Sequence, residues 1–171
     1  MTGEYVALSG VFVTLILAIL QFLWNSNVKA AEIRFSWIEK FQALAVEVTV
    51  CCNRLSNTIR VEKNFIIAIP NTEEEWKREA YARYFEENLS YSDALMERFL
   101  SSSEEVVFML SGRTDKLAQQ VVSAMQKLRD SVLSANPAET AERQQLFRGA
   151  VSSILESENR LARKLIVWRE P

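Results

Sequence analysis

Three sets of side chains have the types and spacing that chemistry uses. Glu75 with Glu79, and Glu139 with Glu142, stand three or four residues apart, which puts two carboxylates on one helix face as acid/base or metal chemistry requires. Ser131 follows Lys127 by four residues, the relation in which a lysine amine could take a serine hydroxyl proton. Cys51 and Cys52 add two thiols. Such pairs are common on solvated helices, and no neighbouring residues suggest a pocket around them. The chain contains no histidine, which removes Ser-His and Cys-His triads, Glu-x-x-His di-metal sites and His-Glu-x-x-His zinc sites together. Two adjacent cysteines cannot supply a four-thiolate cage, and four scattered glycines form neither a P-loop nor a dinucleotide fingerprint. The expectation is a protein with no catalytic residue, no cofactor and no metal, and therefore not an enzyme.

The elements that would position these residues are helical. Of 171 residues only 4 are Gly and 3 are Pro, a balance that favours long helices over strands and tight turns. The formal charge of −2 lacks the clustered cationic surface that neutralises phosphates, so direct nucleic-acid binding is not expected. Cys51 and Cys52 are neighbours and point about 100° apart on a helix, so they read as reduced thiols on a helix face in a reducing compartment.

Residues 5–24 carry no charge, and Val11 to Leu20 is nearly all aliphatic. About 20 residues at 1.5 Å each match a hydrocarbon core of about 30 Å, with Tyr5 and Trp24 suited to the two interfaces. A cleaved leader ending at Val28-Lys29-Ala30 is the rival reading. The leader Met1-Thr2-Gly3-Glu4 carries no Lys or Arg, and the apolar run exceeds the usual 7–15 residues of a signal peptide. Lys29, Arg34 and Lys40 follow the run, so the positive-inside rule places the remainder of the chain in the cytoplasm. Gly3, Ala7, Gly10, Thr14, Ala18, Gln21 and Asn25 recur at three- and four-residue steps. This small and polar stripe predicts an oligomer contact or pore face, because small residues let helices approach and polar ones bond across the seam.

Beyond residue 26, the absence of Gly and Pro up to Pro70 predicts a long first helix with Ala31, Phe35, Ile38, Ala45, Val48, Cys52, Leu55 and Ile59 on one face. It could continue the membrane helix as a stiff stalk. Pro70-Asn71 breaks it, and Thr72 with Glu75 has the form of a capping box. The second helix runs toward Leu100. It is aromatic (Trp76, Tyr81, Tyr84, Phe85, Tyr91, Phe99) and acidic, a surface suited either to water or to a basic partner. Ser101-Ser102-Ser103 predicts a new cap and a short helix ending near Gly112 as its C′ residue. A third helix starts at Thr114-Asp115 and buries Leu117, Val121, Met125, Leu128 and Val132 until Asn136-Pro137. The fourth carries Phe147, Val151, Ile154, Glu158, Leu161, Leu165 and Trp168 on one stripe, with Gly149 permitting close helix contact. Glu158 either lies at the stripe's rim and reaches water or is buried, in which case Arg54 is the candidate partner.

The order of segments resembles a loose group of short bacterial and phage-associated membrane proteins. The resemblance rests on the terminal span, on Ile33-Arg34-Phe35-Ser36-Trp37-Ile38-Glu39-Lys40, on Phe108-Met109-Leu110 before Ser111-Gly112-Arg113, and on Ile154-Leu155-Glu156-Ser157-Glu158. The layout is also similar to the membrane accessory proteins of Cas13b-type CRISPR systems, which assemble as pores. Here the missing histidine denies the chain the nuclease motif of HEPN domains.

These readings give an all-α protein: a transmembrane anchor at 1–26 in a bacterial inner membrane, then a cytoplasmic antiparallel helical bundle at 27–171. The expected function is a homo-oligomeric membrane assembly, of pore or membrane-perturbing type in phage defence. The alternative is a tethered adaptor or sensor that recruits a cytoplasmic protein partner.

Overall fold

A computed structural model describes residues 2–68 and 75–166, with side chains described over 14–62 and 75–165. Among these residues there are four helices and no strand: α1 (Thr2–Ala68), α2 (Glu75–Leu110), α3 (Lys116–Leu133) and α4 (Pro137–Ile166). The break at Pro70-Asn71, the Thr72 cap and Trp168 lie outside the described residues.

α1 passes through Asn25-Ser26-Asn27 without interruption. Three weak helix formers cost a few tenths of a kcal/mol each, and no Gly or Pro in that stretch forces a break. The chain divides into two compact units, Met1–Glu39 with Glu156–Pro171, and Lys40–Leu155.

In the Lys40–Leu155 unit the core is helix on helix. Phe41, Val48 and Leu55 of α1, Phe99 and Val106 of α2, Val121 and Leu128 of α3, and Phe147 and Ile154 of α4 have no exposed surface. Lys40 pairs with Glu105 at 2.9 Å and Glu47 with Arg98, so numbers rise on α1 as they fall on α2 and the pair is antiparallel. The Gln144 amide donates to the Thr49 carbonyl at 2.9 Å, tying α4 to α1.

α2 does not stop at Ser101. Ser102 and Ser103 are buried helical residues, and the Ser103 hydroxyl donates to the Phe99 carbonyl at 2.5 Å. A serine that bonds back one turn satisfies its own hydroxyl and has no need of a cap position. The predicted short helix is thus the end of α2. Gly112 sits in the turn that follows, closed by the Arg113 N–H on the Leu110 carbonyl at 2.9 Å, and no described glycine has a positive φ.

The predicted starts of α3 and α4 hold. Asp115 is the N-cap of α3, its Oδ1 accepting from the Ala118 N–H at 3.0 Å while Arg113 donates to Oδ2 at 2.8 Å. Asn136 accepts from the Glu139 N–H at 3.3 Å, and Pro137 opens α4 where its missing N–H is not needed. Between them α3 ends in a Schellman motif. The Ala135 N–H reaches the Val132 carbonyl at 3.0 Å and the Asn136 N–H the Ser131 carbonyl at 3.4 Å, with Ala135 at φ 52° in the left-handed position usually held by glycine.

Gly149 differs from its expected role. It is exposed, and a Cβ built on it meets nothing within 4 Å, so it serves no close helix contact among the described residues. Along α4 the buried stripe also shifts: Leu161 is 40% exposed, whereas Ala162 is fully buried.

Ala135→Gly should relieve left-handed strain, and Gly149→Ala should lower helix entropy loss. Each is expected to stabilise the fold by about 0.5–1 kcal/mol in denaturant titration. The Asp115 carboxyl is held below its ordinary 3.8 by the Ala118 N–H and then by Arg113. The cap's contribution is therefore present above about pH 4 and lost as pH falls through the lowered folded-state value. Asp115→Ala should cost about 1 kcal/mol at pH 7 and distinctly less at pH 2.

Candidate functional site

The N-terminal part of α1 is the unusual surface. Every described side chain from Thr14 to Lys29 is exposed, including Leu15, Leu17, Ile19, Phe22 (72%) and Leu23. At 100° per residue these apolar side chains point all round the helix, leaving one strip for Thr14, Ala18, Gln21 and Asn25. The structure thus places those four predicted residues on one exposed face. The side chains of Gly3, Ala7 and Gly10 lie outside the described residues. Among the described residues no helix is long and apolar enough to cross a membrane; within the predicted run 5–24, side chains are described only from Thr14 onward.

The unit that carries this segment also holds the buried charge. Glu158 is 5% exposed, not at a wet rim, and its Oε2 accepts from Arg34 Nη1 at 3.0 Å. The predicted partner Arg54 is corrected to Arg34. Arg54 belongs to the other unit, Lys40–Leu155, where it is exposed. Arg34 has no mark of a core residue in the sequence, since it directly precedes the aromatic pair Phe35 and Trp37, which dominate that turn. Its signal was position: it falls one turn after the buried Ala31 and one before the buried Ile38. Past Glu158, α4 shows exposed Arg160, Arg163 and Lys164, which with Glu156 and Asn159 line a recess of about 500 Å³.

The pairs with chemical potential are not assembled into a reactive centre. Ser131 is buried and donates to the Leu128 carbonyl at 2.8 Å, while Lys127 is exposed. Glu75, Glu79 and Glu142 are exposed, and Glu139 pairs with Arg143 at 3.4 Å. Cys51 and Cys52 are free and buried. Burial pushes the Cys52 thiol up to about 11 against the opposing pull of Arg148, and raises Cys51 as well, which keeps both as unreactive thiols at neutral pH. Among the described residues no three Cys, Asp or Glu side chains converge as a metal would require. A groove of about 580 Å³ between α3 and α4 is lined by Lys116, Gln119, Lys127, Leu146 and Gly149 among others, with no carboxylate in its wall.

α2 supplies a second exposed surface. No residue before Leu95 is buried in it, and Trp76 (65%), Tyr84 and Tyr91 are exposed among Glu79, Glu86 and Glu87. Lys77 covers the Trp76 ring at 5.4 Å.

No family model, curated protein or solved structure matches this chain.

The ion pair yields a test. Arg34→Ala removes the guanidinium from a buried carboxylate and should cost about 1–3 kcal/mol, below the 3–5 of a fully buried pair because Arg34 is 40% exposed. The double change Arg34→Leu with Glu158→Leu should recover most of that loss in the same denaturant titration. A double variant as unstable as Arg34→Ala alone would show that packing, not the stranded charge, sets the cost.

Proposed function

We propose that this chain is a non-enzymatic, single-pass membrane protein that assembles with copies of itself, with residues 5–24 in the bilayer and the rest in the cytoplasm of a bacterial cell. The observation that carries the proposal is the bare apolar segment of α1. Eight large apolar side chains between Leu15 and Trp24 are exposed, and covering each is worth about 1.5–3 kcal/mol. That totals on the order of 10–20 kcal/mol, as much as a whole domain's net stability. A helix that is apolar all round belongs inside something, and among the described residues these side chains stay exposed.

Uncharged sequence from Tyr5 to Trp24 and the following Lys29, Arg34 and Lys40 support a span with the C-terminal part in the cytoplasm. The strip of Thr14, Ala18, Gln21 and Asn25 supports self-association, because a carboxamide facing lipid lacks the partners that a facing helix or an aqueous lumen supplies. The resemblance to pore-forming accessory proteins motivates a membrane-perturbing role in phage defence. A second reading, a tethered adaptor, draws on the exposed aromatic and acidic face of α2, which suits a basic protein partner.

Light scattering of the detergent-solubilised protein, corrected for bound detergent, tests the proposal. Wild type is expected as a discrete oligomer that collapses in the Gly10→Leu, Gln21→Leu double variant. A monomer in both would sink self-assembly through the span and leave the adaptor reading. Replacing the span with a plain Leu/Ala helix separates the two further, since an adaptor keeps its activity and a span-driven assembly loses it.

A further inference from the structure

We infer that the last turns of α4 bind the anionic headgroups of the membrane that holds α1, through Arg160, Arg163 and Lys164; this rests on the reading of residues 5–24 as a span. Three observations in the Met1–Glu39, Glu156–Pro171 unit support it. The first is charge. From Asn159 to Arg169 the chain has four cations and no acid, and Arg160, Arg163 and Lys164 are exposed. Their angular positions on α4 fall within about 100° of one another, opposite the buried Glu158 and Ala162.

The second is level. The Arg34–Glu158 contact at 3.0 Å ties α4 to α1, and Ala31 and Ala162 are both buried. Glu158 meets Arg34 while Ala162, four residues after it, is buried as is Ala31, three residues before Arg34; this sets α4 antiparallel to α1 within the unit, so the turn from Arg160 to Lys164 stands beside the α1 turn between Lys29 and Arg34. Lys29 is five residues past Trp24, roughly 7–8 Å along the axis. That is within about one Debye length of the headgroup layer, where each Lys or Arg contributes appreciably to attraction for an anionic surface.

The third is direction. Lys29 projects from the side of α1 opposite Ala31, while the α4 cations project from the side of α4 opposite Ala162, so the charges surround the helix pair instead of forming one patch. A protein partner docks on one side, whereas a headgroup layer encircles whatever crosses it. Leu161, 40% exposed beside Lys164, adds the apolar side chain that an interfacial basic helix uses. Glu156, at the far end of the recess from the bilayer, is the only carboxylate among its lining residues.

The test uses the full chain reconstituted in vesicles of phosphatidylcholine alone or with phosphatidylglycerol at about one lipid in three. Retention after alkaline carbonate reports the span, and hydrogen exchange over residues 159–166 reports the headgroup contact. The expected result is carbonate-resistant protein in both vesicles, with exchange at least about fivefold slower in the anionic ones. That protection should vanish in high salt and in the Arg160→Gln, Arg163→Gln, Lys164→Gln variant, and persist in Arg160→Lys, Arg163→Lys. Carbonate-resistant protein with equal exchange in both vesicles overturns this inference and leaves the span intact. Extraction by carbonate overturns the span reading, and the inference with it. Protection that is independent of lipid charge but rises with protein density assigns the basic turn to a second copy and overturns the headgroup contact.

Discussion

The continuity of α1 is the constraint from which the rest follows. A helix without a break carries its rotational phase from one end to the other at 100° per residue, so the direction of Thr14, Ala18, Gln21 and Asn25 is locked to that of Ala31 and Ile38. No hinge residue intervenes, because Asn25, Ser26 and Asn27 accept helical geometry at small cost. The same continuity keeps every backbone N–H and C=O of the apolar segment bonded within the helix, the one arrangement in which a single segment can enter a medium without water. A Gly or Pro at residues 25–27 would have uncoupled the two segments. None is present.

The Arg34–Glu158 pair applies a second constraint within the unit that carries the apolar segment. A carboxylate at 5% exposure has given up nearly all of its hydration, and a partly wet guanidinium offsets that loss only in one register of α4 against α1. Sliding α4 by one residue would turn Glu158 about 100° away from Arg34 and bring another side chain into its place. The pair is thus weak evidence for stability and better evidence for specificity: it selects one alignment from several that the small residues Ala31 and Ala162 would tolerate. Arg34 stands ten residues, nearly three turns, beyond Trp24, so the pair fixes α4 to the part of α1 that follows the bare segment.

Much of the fold was legible because its boundaries use strong local chemistry. The start of a helix at Thr114-Asp115, the stop at Asn136-Pro137 and the apolar period through Val121, Met125, Leu128 and Val132 each have one dominant physical meaning. The errors arose where a residue type has two. Serine favours caps, yet Ser102 and Ser103 are helical because a hydroxyl can equally bond back to the preceding turn, as Ser103 does on Phe99. Glycine favours close contacts and left-handed positions, yet a Cβ at Gly149 would meet no described residue within 4 Å, while Ala135 holds the left-handed site. A period of 3.6 also drifts over a long helix, so a stripe drawn through Leu161 is displaced by one residue to Ala162. At the site, the exposed strip on α1 could be read from spacing alone. The partner of Glu158 could not, since pairing depends on the register between helices far apart in sequence.

The two exposed surfaces differ in what water can do for them, which is why α1 and not α2 carries the functional argument. Along α2 the exposed aromatics alternate with Glu79, Glu86 and Glu87, so hydrated charge breaks up the apolar area and Lys77 shields Trp76. Such a face is tolerable bare, as scattered exposed apolar side chains are in most proteins. Along α1 from Thr14 to Trp24 no charge intervenes, and the only polar side-chain groups are the Thr14 hydroxyl, the Gln21 amide and the Trp24 indole N–H. A contiguous apolar surface of that kind marks a site of contact with another apolar medium or molecule. Lipid alone would cover the aliphatic faces but leave the Gln21 carboxamide poorly placed, and a second helix alone would cover one face and leave the others. On the proposed reading, a bilayer with copies of the chain meeting along the polar strip would cover both.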